Sequence, residues 1–353
     1  MSEYVISGIQ QIGAGIPDLE SAFRWYRRKL GFDIRVFEDD GEAALMLPYT
    51  GGKPQTRRAV LALNLQGGGG LEIWQYKGRK TEAPGFEVRI GDLGIFHTRI
   101  KTRDAHKAWS FLETEQVELM SGIESDPAGI PHFFLRDPFG LIFQVIEEEG
   151  WFCKTGYPTG GVAGCSIGTS DADKSRRFYA EILGYDQVLY DETGVFRDLA
   201  AMPGGGGKIR RLLLAHSRPR RGAFSPVLGP SRIELFQALE RVPRKIFAGR
   251  YWGDLGFIHL CFDVSGMEDL KRHCERFGSS FTVDSAAGFD MGDSAGRFAY
   301  LEDPDGTLIE FVEAHRLAIV KKWGWYLDLT RRRPEKPLPR WMLRSLSFNR
   351  VKD

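Results

Sequence analysis

Cysteine is scarce in this sequence: Cys153, Cys165, Cys261 and Cys274 are the only four in 353 residues, and no two form a C-x-x-C pair. That excludes a disulfide scaffold and a paired-thiolate zinc site, and it fits reduced thiols in a cytoplasmic protein. Net charge is nearly absent, with 48 Lys and Arg against 47 Asp and Glu, which argues against wholesale nucleic-acid binding. No stretch approaches about 18 uninterrupted apolar residues, so no membrane span is expected. The opening MSEYVISGIQQIGAG has no basic segment followed by an apolar one, so secretion is not expected either. With 42% apolar and 27% charged residues the composition is that of a globular protein, not of a disordered or collagenous one. At about 100–200 residues per domain, the length fits two domains, each with its own core. The residue in excess is glycine: 42 positions, against an average near 7%.

Self-similarity organises the chain. DLESAFRWYRRKLG (18–31) recurs as DADKSRRFYAEILG (171–184) at an offset of 153 residues. Asp18, Tyr26, Leu30 and Gly31 return as Asp171, Tyr179, Leu183 and Gly184, and Phe178 answers Trp25. A second pair interleaves with the first: GDLGIFH (91–97) with GDLGFIH (253–259), and FLRDPFGLIFQ (134–144) with YLEDPDGTLIE (300–310). The order is therefore A–B–A′–B′, a two-unit half that has been duplicated. Within a unit the pattern reads strand, helix, three strands. Asp18 is a helix N-cap, Leu19, Ala22, Phe23, Tyr26 and Leu30 recur at helical spacing, and Gly31 sits where a C-cap glycine belongs. β-type runs such as 59–65 and 71–76 follow, separated by Gly-rich turns, and DPFG and DPDG are turn tetrads before a last strand. The expected division is 1–148 for the first half, a Gly-rich linker at 149–162, 163–315 for the second half, and an extension at 316–353.

These elements resemble the vicinal oxygen chelate superfamily, which includes glyoxalase I, methylmalonyl-CoA epimerase, extradiol dioxygenases and bleomycin-resistance proteins. The likeness covers roughly 5–315 and rests on the D-L-E…Y…L-G-F and D-P-x-G-x-x-I-E elements. It implies an α+β fold of four βαβββ modules forming two curled mixed-sheet cups. Metal ligands would come from the first and last strands of each module. The first-strand slots fall on Gln11 and Gly164, seven residues before each helix-opening Asp, and on His97 and His259 in the B units. The last-strand slots fall on Glu72, Gln144, Glu234 and Glu310.

Module pairing decides what these slots build. Pairing within each half gives one cup with Gln11, Glu72, His97 and Gln144, and another with Glu234, His259, Glu310 and Gly164. Exchange between halves collects Gln11, Glu72, His259 and Glu310 in one cup, and leaves Gly164, Glu234, His97 and Gln144 in a degraded second. The exchanged set is similar to that of glyoxalase I and is the more economical, although sequence alone leaves both open. It implies one divalent ion (Zn, Ni, Mn, Co or Fe) acting as a Lewis acid, with Glu310 as catalytic base and Glu72 as second candidate. Strand alternation adds Gly13 and Gly15 beside Gln11 as empty space, and Trp74 and Tyr76 beside Glu72 as an aromatic wall. Cys261 stands beside His259. These would line a pocket for a small-molecule substrate or ligand. In the degraded cup, Arg99 and Lys101 suggest an anion-binding or structural pocket.

The reading that follows is a metal-dependent lyase or isomerase acting on a small α-oxygenated carbonyl compound, or else a non-catalytic small-molecule binding protein of the bleomycin-resistance type. Gly164 breaks the iron triad of the dioxygenases, and Gly15 and Leu93 occupy positions where glyoxalase I carries glutathione-binding arginines. Against a metal role stand plainer ones. A histidine inside a sheet is commonly satisfied by neighbours, and Glu72 and Glu234 in apolar runs call for some partner, an ion pair included. GGGG at 67–70 and 204–207 lacks the following G-K-[ST] of a phosphate loop and reads as turns. Four modules close both cups, so a monomer suffices and a homodimer stays open. The extension carries eleven Lys and Arg against three acids, with Trp323, Trp325, Tyr326 and Trp341 interleaved. It reads as a strap packing its aromatics on the body, or as a lid over a cup.

Overall fold

Asp18 and Asp171 open the two helices that the repeat predicts. The structure, a computed structural model, describes residues 4–286, 289–290, 295–320 and 325–352. The Asp18 carboxylate accepts the Ser21 backbone N–H at 3.3 Å, and Asp171 accepts those of Asp173 and Lys174 at 3.0 Å. Both helices stop at a glycine in the left-handed region, Gly31 at φ 73° and Gly184 at φ 71°, a conformation that a Cβ would penalise.

The first module runs β1 (Val5–Gly15), α1 (Leu19–Leu30), β2 (Ile34–Glu42), β3 (Thr56–Leu63) and β4 (Gly70–Tyr76). The second has β5 (Gly94–Thr102), α2 (Ala105–Thr114), β6 (Glu118–Leu119), β7 (Glu124–Ser125), β8 (Pro131–Arg136) and β9 (Ile142–Glu147). The third comprises β10 (Thr159–Gly168), α3 (Ala172–Leu183), β11 (Gln187–Gly194), β12 (Ile209–Ala215), the short α4 (Ser225–Leu228) and β13 (Arg232–Ala238). The fourth follows with β14 (Gly256–Ser265), α5 (Met267–Arg276), β15 (Val283–Asp284), β16 (Phe289–Asp290), β17 (Ala295–Glu302) and β18 (Leu308–Val320), then β19 (Trp325–Asp328) and α6 (Arg340–Arg344). The A units keep the expected strand–helix–three-strand order. In the B units the middle strand is broken in two. At each break a serine hydroxyl replaces a ladder carbonyl: Ser121 Oγ accepts from Phe134 N and Ser285 Oγ from Phe298 N, both at 3.0 Å.

The modules pair by exchange between halves. β1 lies antiparallel to β14, with Gln11 opposite Cys261 and Gly13 opposite His259. β10 lies antiparallel to β5, with Val162 opposite Ile100. Each first strand also runs parallel to the last strand of its own module: β1 with β4, β14 with β18, β5 with β9 and β10 with β13. Modules one and four thus share one curled mixed sheet, modules two and three the other, and Phe257 opposite Ile95 joins them.

The motifs most prominent in the sequence are fasteners between modules. Tyr26 of α1 donates to Asp137 of the DPFG turn at 2.5 Å, and Tyr179 of α3 donates to Asp303 of the DPDG turn at 2.8 Å, all four side chains being buried. The glycines have a related purpose. Gly68 at φ 112° would place a Cβ 2.7 Å from Gly161 C, and one on Gly161 would come 2.6 Å from Gly69 O. The 67–70 run is therefore where the linker crosses the first module backbone on backbone, and no larger residue would let the strands approach.

Among its described side chains, the C-terminal extension packs leucines on the body and leaves Trp341 outside. Leu338, Leu343 and Leu346 join Ile34, Leu63, Phe152 and Leu228 in one apolar cluster, while Trp341 is 58% and Phe348 75% exposed. A five-residue helix presents one narrow face, and α6 turns Leu343 inward. Lys321, Lys322, Trp323 and the side chains of Trp325 and Tyr326 lie outside the described residues. Leu343→Ala should cost about 2–4 kcal/mol, the usual range for a buried Leu truncation, measured as a fall in the urea midpoint at unchanged slope. No described helix is long and apolar enough to cross a membrane.

Candidate functional site

The first cup brings Glu72 on β4, His259 on β14 and Glu310 on β18 together. One ligand atom from each lies within 4.8 Å of the others, the only such group of three His, Cys, Asp or Glu among the described residues. His259 Nε2 stands 3.2 Å from Glu72 Oε2 and 3.1 Å from Glu310 Oε2. Burial opposes an imidazolium here, yet the two carboxylates prevail and raise His259 to about 10. Glu310, despite its burial, is held below the ordinary carboxylate range by His259. Gln11 lines the same cavity, and its Oε1, both ring nitrogens of His259 and Glu310 Oε2 are buried without a hydrogen-bond partner. Buried polar atoms left in this state cost about 1–3 kcal/mol each, and a divalent ion would relieve that cost with this donor set.

Above the triad lies a cavity of about 440 Å³ whose lining includes Trp74, Trp252 and Tyr300. Trp252 stacks on the His259 ring at 6.2 Å and 17°, and Tyr300 meets it edge-on at 5.6 Å. Tyr300 stands opposite Glu310 in the β17–β18 register and interacts with its carboxylate. Neither residue is apparent from the ligand pattern alone, but counting back across the DPDG turn from Glu310 leads to Tyr300.

Several expected pocket residues stand elsewhere. Gly13 leaves no empty space: the His259 ring occupies it, and a Cβ there would fall 2.4 Å from Cε1. Gly15 is covered by the loop before β14, with Asp254 O 2.1 Å from its would-be Cβ. Tyr76 lies behind Trp74, edge-on at 4.6 Å, its hydroxyl bonded to Trp252 O. Cys261 is fully buried beside the triad: its thiol lies towards Gln10 Oε1 at 3.7 Å and interacts with the Glu310 carboxylate, and burial pushes its pKa up. Of the expected pocket set, Trp74 faces the cavity.

The second cup is filled by an ion-pair network. Glu234, fully buried, takes Arg211 Nε at 2.5 Å and Arg99 Nη1 at 3.4 Å, together with the Tyr190 hydroxyl. Arg211 continues to Asp198 at 2.7 Å. Of the anion-binding and structural readings of this pocket, the ion pairs match the structural one. Arg99 is matched by Glu234 and Glu148, and Lys101 turns away to donate to Gly150 O at 2.8 Å over the Trp151 ring. Arg211, the second cation, was missed because RRLLLA reads as an edge-of-core run, although alternation with Leu213 places it inward. Gly164 is enforced by close approach: its φ is 145° and a Cβ would sit 1.8 Å from Arg232 O. Gln144 donates to His132 Nδ1 at 2.5 Å, and His132 Nε2 faces Asp198 at 3.4 Å.

The two repeated histidines are tuned in opposite directions. Where Gly13 underlies His259, the equivalent Ser166 puts its hydroxyl 2.9 Å from His97 Nδ1. Burial, with Arg99 and Arg211 nearby, lowers His97 to about 3, and burial does the same to His132. Both bind protons less readily folded than unfolded, where the pKa is about 6.5. Their contribution is complete above pH 6.5 and is lost as the pH falls towards 3, at about 1.4 kcal/mol per pH unit for each histidine. Urea unfolding of wild type and His132→Gln between pH 7 and 5 should show the shallower decline in the variant.

Four βαβββ modules, two cups, one cup with a convergent carboxylate–imidazole set and the other closed by arginine pairs define a tandem paired-module protein with a single candidate metal centre. The chain belongs to the glyoxalase/bleomycin resistance protein/dioxygenase superfamily, whose profile matches residues 8–145 and 161–311. Among solved structures it is similar to glyoxalase I from Zea mays at 13% identity and a TM-score of 0.53, over 87% of this chain and 92% of that one. A putative dioxygenase from Bacillus subtilis is 16% identical with a TM-score of 0.53, over 88% and 86%. At such identities the likeness is one of fold. No curated protein matches the chain.

Proposed function

We propose that the chain is a divalent-metal-dependent lyase or isomerase of glyoxalase type, acting on a small α-oxygenated carbonyl compound. The observation that supports it is the convergence of Glu72, His259 and Glu310 at the end of a cavity, with Gln11 beside them. Carboxylate, imidazole and amide oxygen are donors suited to Zn, Ni, Mn, Co or Fe(II). An ion bound there would supply Lewis acidity towards two neighbouring substrate oxygens and so acidify the C–H between them. The chain's own groups do the rest. Glu310 is the base, oriented by Tyr300 opposite it on β17, with Glu72 as the alternative. Gly13 lets the imidazole lie flat against β1, which fixes its direction. Trp74 and Trp252 keep water from the reacting carbon.

A second reading, a non-catalytic binding protein, is favoured by the largely apolar cavity walls. Metal analysis of protein purified without chelators or a histidine tag separates the two. We expect roughly one divalent ion per chain, lost in Glu310→Ala and Glu72→Ala and kept in Gln144→Ala. No metal in the wild type after dialysis against Zn, Ni, Mn and Fe(II) would leave the binding protein as the reading.

A further inference from the structure

Glu310, Val312 and Ala314 alternate along one face of β18, Arg316 follows beyond a bulge at His315, and all four line the cavity. At about 3.3 Å per residue, Glu310 and Arg316 stand roughly 20 Å apart. The cavity is therefore a channel running from the candidate metal centre to the far end of a strand. Its lining includes Leu63, Val227, Leu228 and Leu346, the last from the C-terminal extension. Arg57, on the wall, is engaged by Asp39, and Arg316 is at the distant end. A charged group carried along the apolar stretch beyond the chelating oxygens would be desolvated there, at considerable cost.

We propose that this channel takes a substrate with an extended, uncharged, apolar body, its paired oxygens at the Glu72–His259–Glu310 end and its chain along Val312 and Ala314. The assignment rests on the reading of that end as a metal centre, but the channel is tested separately from it. The probes are 1-hydroxy-2-alkanones of three to ten carbons, with binding read by calorimetry on the full-length protein and metal content measured on the same samples. Affinity is expected to rise about fourfold per methylene, the increment for burying one CH₂. Ala314→Phe, at a half-buried position in the channel, is expected to cancel the rise for the longer probes and to leave the three-carbon probe unchanged, with the thermal melt confirming a folded protein.

Affinity that is flat with chain length in metal-loaded protein would overturn the proposal and leave the metal centre standing. The same chain-length increments in protein that binds no metal would support the channel while removing the metal centre.

Discussion

Replacing Glu234 by alanine should destabilise the fold by about 3–5 kcal/mol, the range for removing one partner of a buried ion pair. Glu234 accepts from Arg211, Arg99 and Tyr190, and neither arginine has any exposed surface. Without the carboxylate, Arg211 keeps Asp198 and Arg99 keeps Glu148 at 3.4 Å, so two guanidinium groups are left sharing a space that held a countercharge. Burial alone would protonate a carboxyl in this place, yet the arginines hold Glu234 near 2. Its contribution is therefore fully present above about pH 4.5 and is lost only as the pH falls through 2. Urea unfolding at pH 7 checks the size of the loss. The double variant Glu234→Leu, Arg211→Met should recover most of it, because an apolar pair of similar volume replaces the desolvated charges. A Glu234→Ala loss under about 1 kcal/mol would show that the second cup is not held by this network.

Gly13→Ala should leave the protein folded and remove the candidate metal centre. The backbone of Gly13 lies outside the left-handed region, so alanine is tolerated there conformationally. The penalty falls on the neighbour: the new methyl would meet Cε1, Nδ1 and Nε2 of His259 at 2.4, 2.7 and 2.8 Å. A side chain has freedom that a strand does not, so the imidazole swings away and its nitrogen leaves the carboxylates. In metal-free protein the His259 titration, near 10 in the wild type, should drop by more than a unit by NMR, and divalent metal should no longer be retained after dialysis. Retention of both would mean that β1 shifts instead of the ring. At Gly164 the obstacle is the Arg232 carbonyl, so the equivalent substitution should destabilise the fold.

Much of this architecture can be read from the sequence, because duplicated segments leave their caps and turns twice. Asp18, Gly31 and the DPFG tetrad signal element boundaries through local chemistry. The same locality misled about purpose. Tyr26 and Asp137 recur as a motif because they bind each other, 111 residues apart. The slots at Gln11, Glu72, His259 and Glu310 are what the family resemblance implies, and the pairing of β1 with β4 and β14, and of β14 with β18, brings them to one cup. Gly13 and Gly15 leave no empty space, because a curled sheet gives its inward face to whatever packs closest, here the His259 ring and the loop before β14, and Tyr76 is covered by Trp74. Arg211, Tyr190 and Asp198 come from strands and turns with no repeated signature, and only long-range pairing brings them to Glu234. In the described part of the extension the conspicuous Trp341 stays exposed, and Leu338, Leu343 and Leu346 are buried instead.

The exchanged pairing has one more consequence. Neither half of the chain owns a cup, since each lends one module to both. A cut in the stretch between Gly150 and Gly156 would separate the covalent halves without breaking β1 from β14 or β5 from β10. The nicked molecule would stay assembled as a tight heterodimer, and the two pieces, made apart, would be partners for each other. A duplication wired in this way also lets its copies specialise. One cup is filled by buried arginine–carboxylate pairs, while the other keeps an open cavity beside its carboxylate–imidazole set.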